Sequence, residues 1–302
     1  MGAVASEESD RQTPDAAGTV APGSLYVVAT PLGNLGDFTL RAREVLGRAD
    51  RIYAEDTRVT AHLLSHFGIA ARATALHAHN EARRVDDVLS ALAAGQSVAL
   101  VTDAGTPAIS DPGARIVRAA HEGGHVVVPV PGPSAVAAAV SAAGLRAERF
   151  VFVGFLPQQA KAQRALLDRF GALPAALVFY EAPHRVLDTI AALASALDDQ
   201  RDVVVAREIT KRFEEIARMP LAVASAWFAL DANRQRGEFV LIVDAPGESG
   251  ETAQLTPDIE RWMDALLVEL PPSSAARVAA AATGVARDVL YRLAMARKRP
   301  RD

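Results

Sequence analysis

From residue 24 onward, short apolar runs alternate with amphipathic stretches. Residues 24–30 (SLYVVAT), 51–54 (RIYA), 73–76, 98–102 (VALVT) and 126–130 have the length and β-branched content of buried strands. Between them, residues 39–49, 61–67, 83–94 and 115–122 repeat apolar positions at helical spacing. Thr39 is a candidate cap, and Gly68, Gly95 and Gly123-Gly124 are stops. Alternating strands and helices predict an α/β sheet with mostly parallel strands. Pro131-Gly132-Pro133-Ser134 then punctuates the chain, with Ser134 able to cap the alanine-rich segment that follows. A second series has strands at 150–154, 176–180, 203–206 and 238–243. Its helices are read at 160–170, from 181–185 to about 196, and at 221–228. Helical patterns return at 259–267, 274–282 and 285–297, and the Thr283-Gly284 turn gives the last two a helix-turn-helix outline.

These patterns divide the chain into five parts. Residues 1–23 form a disordered extension, acidic and without the apolar core of a signal peptide. Residues 24–131 and 132–246 are two α/β domains, 247–256 a linker, and 257–302 a small helical module whose helix-turn-helix outline is like that of nucleic-acid-binding modules. No stretch approaches the ~18 apolar residues of a membrane span.

Composition narrows the chemistry. Half of the 302 residues are hydrophobic, enough for sizeable cores. Cysteine is absent, which excludes a disulfide framework, thiolate metal sites and a thiol nucleophile, and suits a cytoplasmic location. His77 and His79 alone are poor grounds for zinc, and no metal is expected. The net charge of −4 argues against nucleic-acid binding by the whole surface but leaves room for a local basic patch. Such a patch is offered by Arg287, Arg292, Arg297, Lys298, Arg299 and Arg301; the plain alternative is a solvated tail.

The loop at 101–113 (VTDAGTPAISDPG) concentrates glycine, proline, aspartate and hydroxyls after an apolar run. Glycine admits close ligand approach, proline stiffens, and a polar loop at the carboxyl end of a buried strand is where open α/β sheets bind ligands. The simpler reading is a strand-to-helix connection capped by Asp111. Such connections usually need only a few residues, so the loop's length favours function. A second glycine loop, 31–37 (PLGNLGD), lies about 20 residues before Glu55, which suggests a nicotinamide site. It lacks the first glycine of that fingerprint, however. The Walker loop, the G-x-S-x-G elbow and the H-E-x-x-H zinc pair are also missing.

Taken together, 28–37, 54–58 (AEDTR), 77–81 (HAHNE), 101–113, 131–135 (PGPSA), 179–185 (FYEAPHR), 207–215 (REITKRFEE) and 237–243 (GEFVLIV) resemble the tetrapyrrole-methylase superfamily. The resemblance runs from about residue 24 to 297 and is to its branch that methylates a cytidine 2′-hydroxyl in 16S rRNA. It implies two α/β domains with S-adenosylmethionine between them, in a homodimer. By motif position it implies a cofactor pocket of Pro31, Asp103, Ala104, Gly105, Thr106, Ile109, Ser134 and Ala135, joined by Glu181 and Ile209.

Residue chemistry adds candidates. A ribose hydroxyl is a poor nucleophile, so a base, or a cation for the developing alkoxide, would help. Lys211 is one of three lysines and sits among Glu208, Glu214 and Glu215; its plain alternative is a surface salt bridge. Asp56 and Arg58 offer a proton acceptor and a phosphate clamp, or an ion pair capping the next helix. His79, Asn80, His184, Arg185 and Arg292 are candidate substrate contacts. The leading expectation is a 16S rRNA 2′-O-methyltransferase. The rivals are a tetrapyrrole-type small-molecule methyltransferase, which would not need the basic helical tail, and a non-enzymatic ribosome-binding factor, which would not need an intact 101–113 loop.

Overall fold

The computed structural model describes residues 20–77, 79–246, 257–285 and 287–298. Most of the expected N-terminal extension, the expected linker at 247–256, and Arg299 and Arg301 lie outside them. The chain forms two compact units, Met1–Ala245 and Pro246–Asp302.

The larger unit holds two five-stranded sheets. The first uses β1 (Ser24–Val28), β2 (Arg51–Ala54), β3 (Ala73–Ala75), β4 (Val98–Val101) and β5 (Val126–Val130), in the order β3-β2-β4-β1-β5. All its pairings are parallel. Helices cover both faces, which is why β4 is buried at every position. On one face α1 (Leu40–Arg48) and α2 (Thr57–His66) pack through Ala42, Val45, Leu46 and Leu64. On the other, α3 (Glu81–Ala93) and α4 (Ala114–Glu122) pack through Val88, Leu92, Ile116 and Ala120. Thr39 caps α1 by accepting from the amide of Ala42 at 3.1 Å. The chain leaves β1 toward β2 on one side, and leaves β4 for β5 on the other. The strand order therefore switches at β1 and β4, where parallel sheets open a crevice at their carboxyl ends.

After α5 (Ala135–Ala142), the second sheet uses β6 (Phe150–Phe155), β7 (Ala176–Glu181), β8 (Asp202–Arg207), β9 (Glu215–Pro220) and β10 (Phe239–Val243) in the order β6-β7-β10-β8-β9. Only β6 and β7 are parallel; the rest pair antiparallel. The helices α6 (Ala160–Phe170), α7 (Val186–Ala196) and α8 (Leu221–Ala229) bury Leu167, Ile190, Leu193 and Phe228 on one face. Val136 and Ala139 of α5 cover the other. The pattern of the sequence does not foretell β9. This edge strand pairs only with β8 and leaves Ile216 and Arg218 facing out, so it lacks the apolar run of a central strand.

The smaller unit packs α9 (Pro257–Glu269), α10 (Pro272–Thr283) and α11 (Arg287–Lys298) around Met263, Ala276, Ala279, Val285, Leu290 and Ala294. Gly284, at φ 73°, ends α10 in the left-handed conformation that glycine adopts without cost. No helix among the described residues is long and apolar enough to cross a membrane.

Candidate active site

Within the larger unit a cleft of about 430 Å³ opens between the carboxyl end of the first sheet and the second sheet. Its first wall comes from the loops after β1, β2 and β4: Leu32, Glu55, residues 103–106 and 109–111. Its second wall comes from the ends of β6 and β7, the β8–β9 loop and the start of β10. Ser134 and Ala135, at the start of α5, join the two.

The first wall is built from backbone. Thr30 and Gly105 exchange both amide–carbonyl bonds, at 2.9 and 3.0 Å, and so zip the β1 and β4 loops together. The Thr30 hydroxyl donates to the Thr102 carbonyl at 3.0 Å, and the Thr106 hydroxyl to the Pro133 carbonyl at 3.0 Å. Gly105 sits at φ 83°, and a Cβ there would stand 3.3 Å from Leu32 Cδ2. Ala108 and Ser110 hold φ of 67° and 65° without being glycine, a strain that persists only where the surroundings over-determine it. Glu81, from the 77–81 motif, fixes the loop's far end: its Oε1 accepts from the amides of Gly113 and Arg115, each at 3.0 Å. Asp111 is not the cap of α4, as the plain reading of the loop has it. Gly113 takes that place, and Asp111 turns into the cleft.

This wall is acidic. Burial, reinforced by the Glu55 charge, pushes the Asp111 carboxyl up to about 6. Burial also raises Asp103, and raises Glu55 with help from Asp103. Asp103 accepts from the amide of Asp56 at 2.9 Å, which ties the β2 loop to the β4 loop.

The second wall carries aromatic rings and a cation. Phe155, Tyr180 and Phe239 line it beside Ile209. In the β8–β9 loop, Glu208 and Thr210 take φ of 51° and 67°, and the tight turn points Lys211 into the cleft. Its Nζ donates to Glu208 Oε1 at 2.9 Å and to Glu238 Oε2 at 2.8 Å. Burial works against the ammonium, yet the bonds to Glu238 and Glu208 prevail and hold its pKa above the usual lysine value. Lys211 is therefore a fixed cation and not a base. The stem of Lys211 crosses Gly33, where a Cβ would lie 2.4 Å from Lys211 Cγ. Glu181 is fully buried, and its carboxylate is already engaged by the Ala182 amide at 2.8 Å and the Thr189 hydroxyl at 2.6 Å.

The other residues singled out from sequence lie apart. Pro31 lines a neighbouring hollow that shares Leu32, Asp103 and Ala104 with the cleft. Asp56 caps α2 and binds Arg58, with Nη2 to Oδ2 at 2.5 Å, and neither lines the cleft. The Arg58 side chain holds the Asp56 carboxyl far below the usual range, which makes it a feeble base. Their geometry is that of the helix-capping ion pair. Asn80 closes a turn, accepting from the His77 amide at 2.8 Å and donating to the Ala75 carbonyl at 3.2 Å. His79 is exposed beside it, outside the cleft lining. His184 is exposed next to the lining residue Pro183. Arg185 donates to the Leu156 carbonyl at 2.5 Å and faces Glu181 at 3.4 Å. In the helical unit Arg292 meets Asp288 at 3.5 Å, and Arg297 is bound by Glu260 and Asp264. The basic run is thus partly neutralised from within.

Sequence reasoning missed Phe155, Tyr180 and Glu238 as lining residues. Tyr180 and Glu238 lie inside or next to the resemblance motifs, so their position was a usable signal. For Phe155 the local pattern gave none.

The residues of the cleft fit S-adenosylmethionine, whose sulfonium and ammonium outnumber its single carboxylate. The three carboxylates of the first wall, Glu55, Asp103 and Asp111, face the cleft, and Gly105 leaves the backbone bare where a side chain would intrude.

Comparison with known proteins widens the picture. Residues 24–224 match the family described as Tetrapyrrole (Corrin/Porphyrin) Methylases, and residues 253–298 match the RsmI C-terminal HTH domain. Ribosomal RNA small subunit methyltransferase I of Escherichia coli O157:H7 is 48% identical over 273 residues, covering 90% of this chain and 95% of that protein. The protein of the same name from Xylella fastidiosa (strain Temecula1) is 48% identical over 271 residues, 89% of this chain and 98% of its own. Among solved structures, uroporphyrin III C-methyltransferase from Thermus thermophilus superposes with a TM-score of 0.53 at 18% identity, over 73% of this chain and 97% of that one. That last likeness is one of fold.

Proposed function

The chain belongs to the tetrapyrrole (corrin/porphyrin) methylase family, and from that premise we propose that it is an S-adenosylmethionine-dependent methyltransferase acting on a cytidine 2′-hydroxyl of 16S rRNA in the small ribosomal subunit. The observation that carries the reading is the two-sided cleft, with three carboxylates on one wall and, on the other, a lysine held between Glu208 and Glu238 beside aromatic rings. The helical unit supports rRNA over a small acceptor. It belongs to the part of the chain matched by the C-terminal helix-turn-helix family, and the rRNA methyltransferase relatives align over about nine-tenths of the chain.

When bound, the cofactor supplies a methyl group already activated on a sulfonium sulfur, so the protein's work is chiefly positioning and electrostatics. Asp103, Asp111 and Glu55 offset the positive charge in the slot. The zipped Thr30–Gly105 backbone fixes the slot's width. From the opposite wall, Lys211 presents its ammonium to the hydroxyl oxygen, where negative charge develops as the O–H proton passes to water and the O–C bond forms. Glu208 and Glu238 hold that ammonium in one place, so no reorganisation is needed at the moment of reaction.

In the same reading the protein works as a cytoplasmic homodimer, which sedimentation velocity tests. The function itself is tested by incubating the protein with methyl-labelled cofactor and small subunits that lack the modification. Label in the 2′-O-methylcytidine of digested 16S rRNA is the expected result. Labelling of a porphyrinogen instead would overturn it.

A further inference from the structure

Strand β6 carries an irregularity that changes what the cleft presents. In its pairing with β7, Phe150 faces Ala176 and Phe152 faces Val178; then Gly154 faces Phe179 and Phe155 faces Tyr180. Val153 is left unmatched, so the strand holds one extra residue. In a regular strand, side chains alternate, and Phe152 and Phe155 would fall on opposite faces of the sheet. The bulge cancels the alternation and brings both to the face that carries Val178 and Tyr180. Ring contacts agree with the register: Phe152 lies 4.9 Å and Phe155 5.8 Å from Tyr180, centroid to centroid, both steeply tilted.

The two rings meet different fates. Phe152 packs against the core under α5. Phe155 is the last residue of the strand, lines the cleft and stays 50% exposed. Gly154 hosts the bend at φ 79°, and a Cβ there would stand 3.4 Å from Ser110 Oγ, on the loop of the opposite wall. The bulge therefore sits where the two walls approach each other. A phenylalanine brought to this face by an extra residue, braced by a tyrosine ring and half open in the same cleft as Lys211, offers a flat π surface.

Resting on the rRNA-methylating reading above, we infer that Phe155 is the platform on which the acceptor nucleobase stacks. A ribose hydroxyl comes between two walls when its nucleotide is splayed out of the helical stack, and proteins hold such splayed bases on aromatic rings. Stacking on Phe155 sets the base against the second wall, the wall from which Lys211 projects. The platform is sequence-tolerant in itself, since every base has a π face; it positions the nucleotide without selecting it.

The experiment uses the full-length protein with Phe155→Ala, Phe155→Leu and Phe155→Trp. Methylation of unmodified small subunits is measured as kcat and KM, and cofactor affinity by calorimetry. Phe155→Ala lowers kcat/KM for subunits about 10- to 100-fold, the range of one lost base–aromatic stack, and leaves cofactor Kd within about twofold. Phe155→Leu keeps the bulk and the fold but loses the ring, and it shows the same loss. Phe155→Trp recovers most of the activity. Unchanged methylation in both the Ala and Leu variants overturns the inference. So does an equal loss of cofactor affinity, which assigns the ring to the adenine of the cofactor. A wild-type protein that leaves the subunits unlabelled refutes the rRNA reading itself, a result separable from either of these.

Discussion

The two walls of the cleft solve different problems with different materials. The first is backbone and carboxylate: amides zipped between Thr30 and Gly105, strained turns at Ala108 and Ser110, and three acids raised by their own burial. The second is side chain: Phe155 and Tyr180 as flat surfaces, and Lys211 gripped by two glutamates. Parallel strands deliver the first wall, because a switch in strand order gathers loops at one end of the sheet. A mixed sheet delivers the second: the parallel pair β6 and β7 ends in Phe155 and Tyr180, and the antiparallel pairing of β8 with β9 and β10 brings Glu208, Lys211 and Glu238 side by side. On the proposed reading, the first wall takes the cationic methyl donor and the second the acceptor that arrives, reacts and leaves. Mutations should therefore separate binding from turnover, according to the wall they touch.

The largest effect is expected at Lys211. Lys211→Ala removes the cation offered to the developing oxyanion, and turnover on small subunits falls roughly 100-fold or more. Cofactor affinity holds or improves, since Glu208 and Glu238 then add uncompensated negative charge. A parallel loss of cofactor affinity, read by calorimetry, would merge the two walls into one function. Gly105→Val strikes the opposite wall. A β-branched residue at φ 83° is strained by about 1–2 kcal/mol or more, and its side chain enters the slot beside Leu32. Cofactor affinity drops about 100-fold while circular dichroism stays native, because the strain is small beside the stability of a domain of this size. Normal affinity in this variant refutes the pocket. Gly33→Ala tests the junction. Its methyl needs the space of Lys211 Cγ, now 2.4 Å away, so the lysine must swing aside. Turnover falls about tenfold with cofactor affinity unchanged, a fraction of the Lys211→Ala effect because the ammonium is displaced and not removed.

The sequence makes the first wall easier to read than the second, for physical reasons. Loops after buried parallel strands announce themselves through glycine, proline and aspartate, and the 101–113 loop stands out on that ground alone, while Gly105, Thr106 and Ile109 within it are singled out by the family resemblance. The second wall depends on pairings distant in sequence. Lys211 meets Glu238 only because β8 and β10 are neighbours, 27 residues apart in the chain. Phe155 depends on a one-residue bulge that no apolar periodicity encodes, and β9 is hidden by the half-solvated alternation of an edge strand. Local chemistry also misleads. Asp56 and Arg58 offer a proton acceptor and a phosphate clamp on paper, yet they bind each other at a helix start, the alternative their spacing also allows. Asp111 has the position of a cap, yet it is a titrating wall residue.

That reversal at Asp111 gives the smallest effect and the sharpest test of the acidic wall. Its folded pKa, about 6, lies above the ordinary aspartate value, so the folded state takes up a proton that the unfolded chain releases. Its contribution to stability is present below about pH 4 and is lost as pH rises through about 6, so the free protein carries a small penalty at neutral pH. A cation in the slot reverses the sign: the ionised carboxylate now has a partner, and binding tightens as pH rises through the same window. Cofactor affinity should therefore strengthen about fivefold between pH 5 and pH 7.5, a modest factor because the group is only partly buried. The cofactor should also raise the melting temperature more at pH 7.5 than at pH 5. Asp111→Asn removes the titration, so affinity becomes flat across the window while turnover at saturating cofactor stays close to wild type. If the variant instead keeps the pH dependence, Asp103 or Glu55 carries it. If it loses turnover at saturation, Asp111 serves the reacting oxygen and the division between the walls fails at that residue.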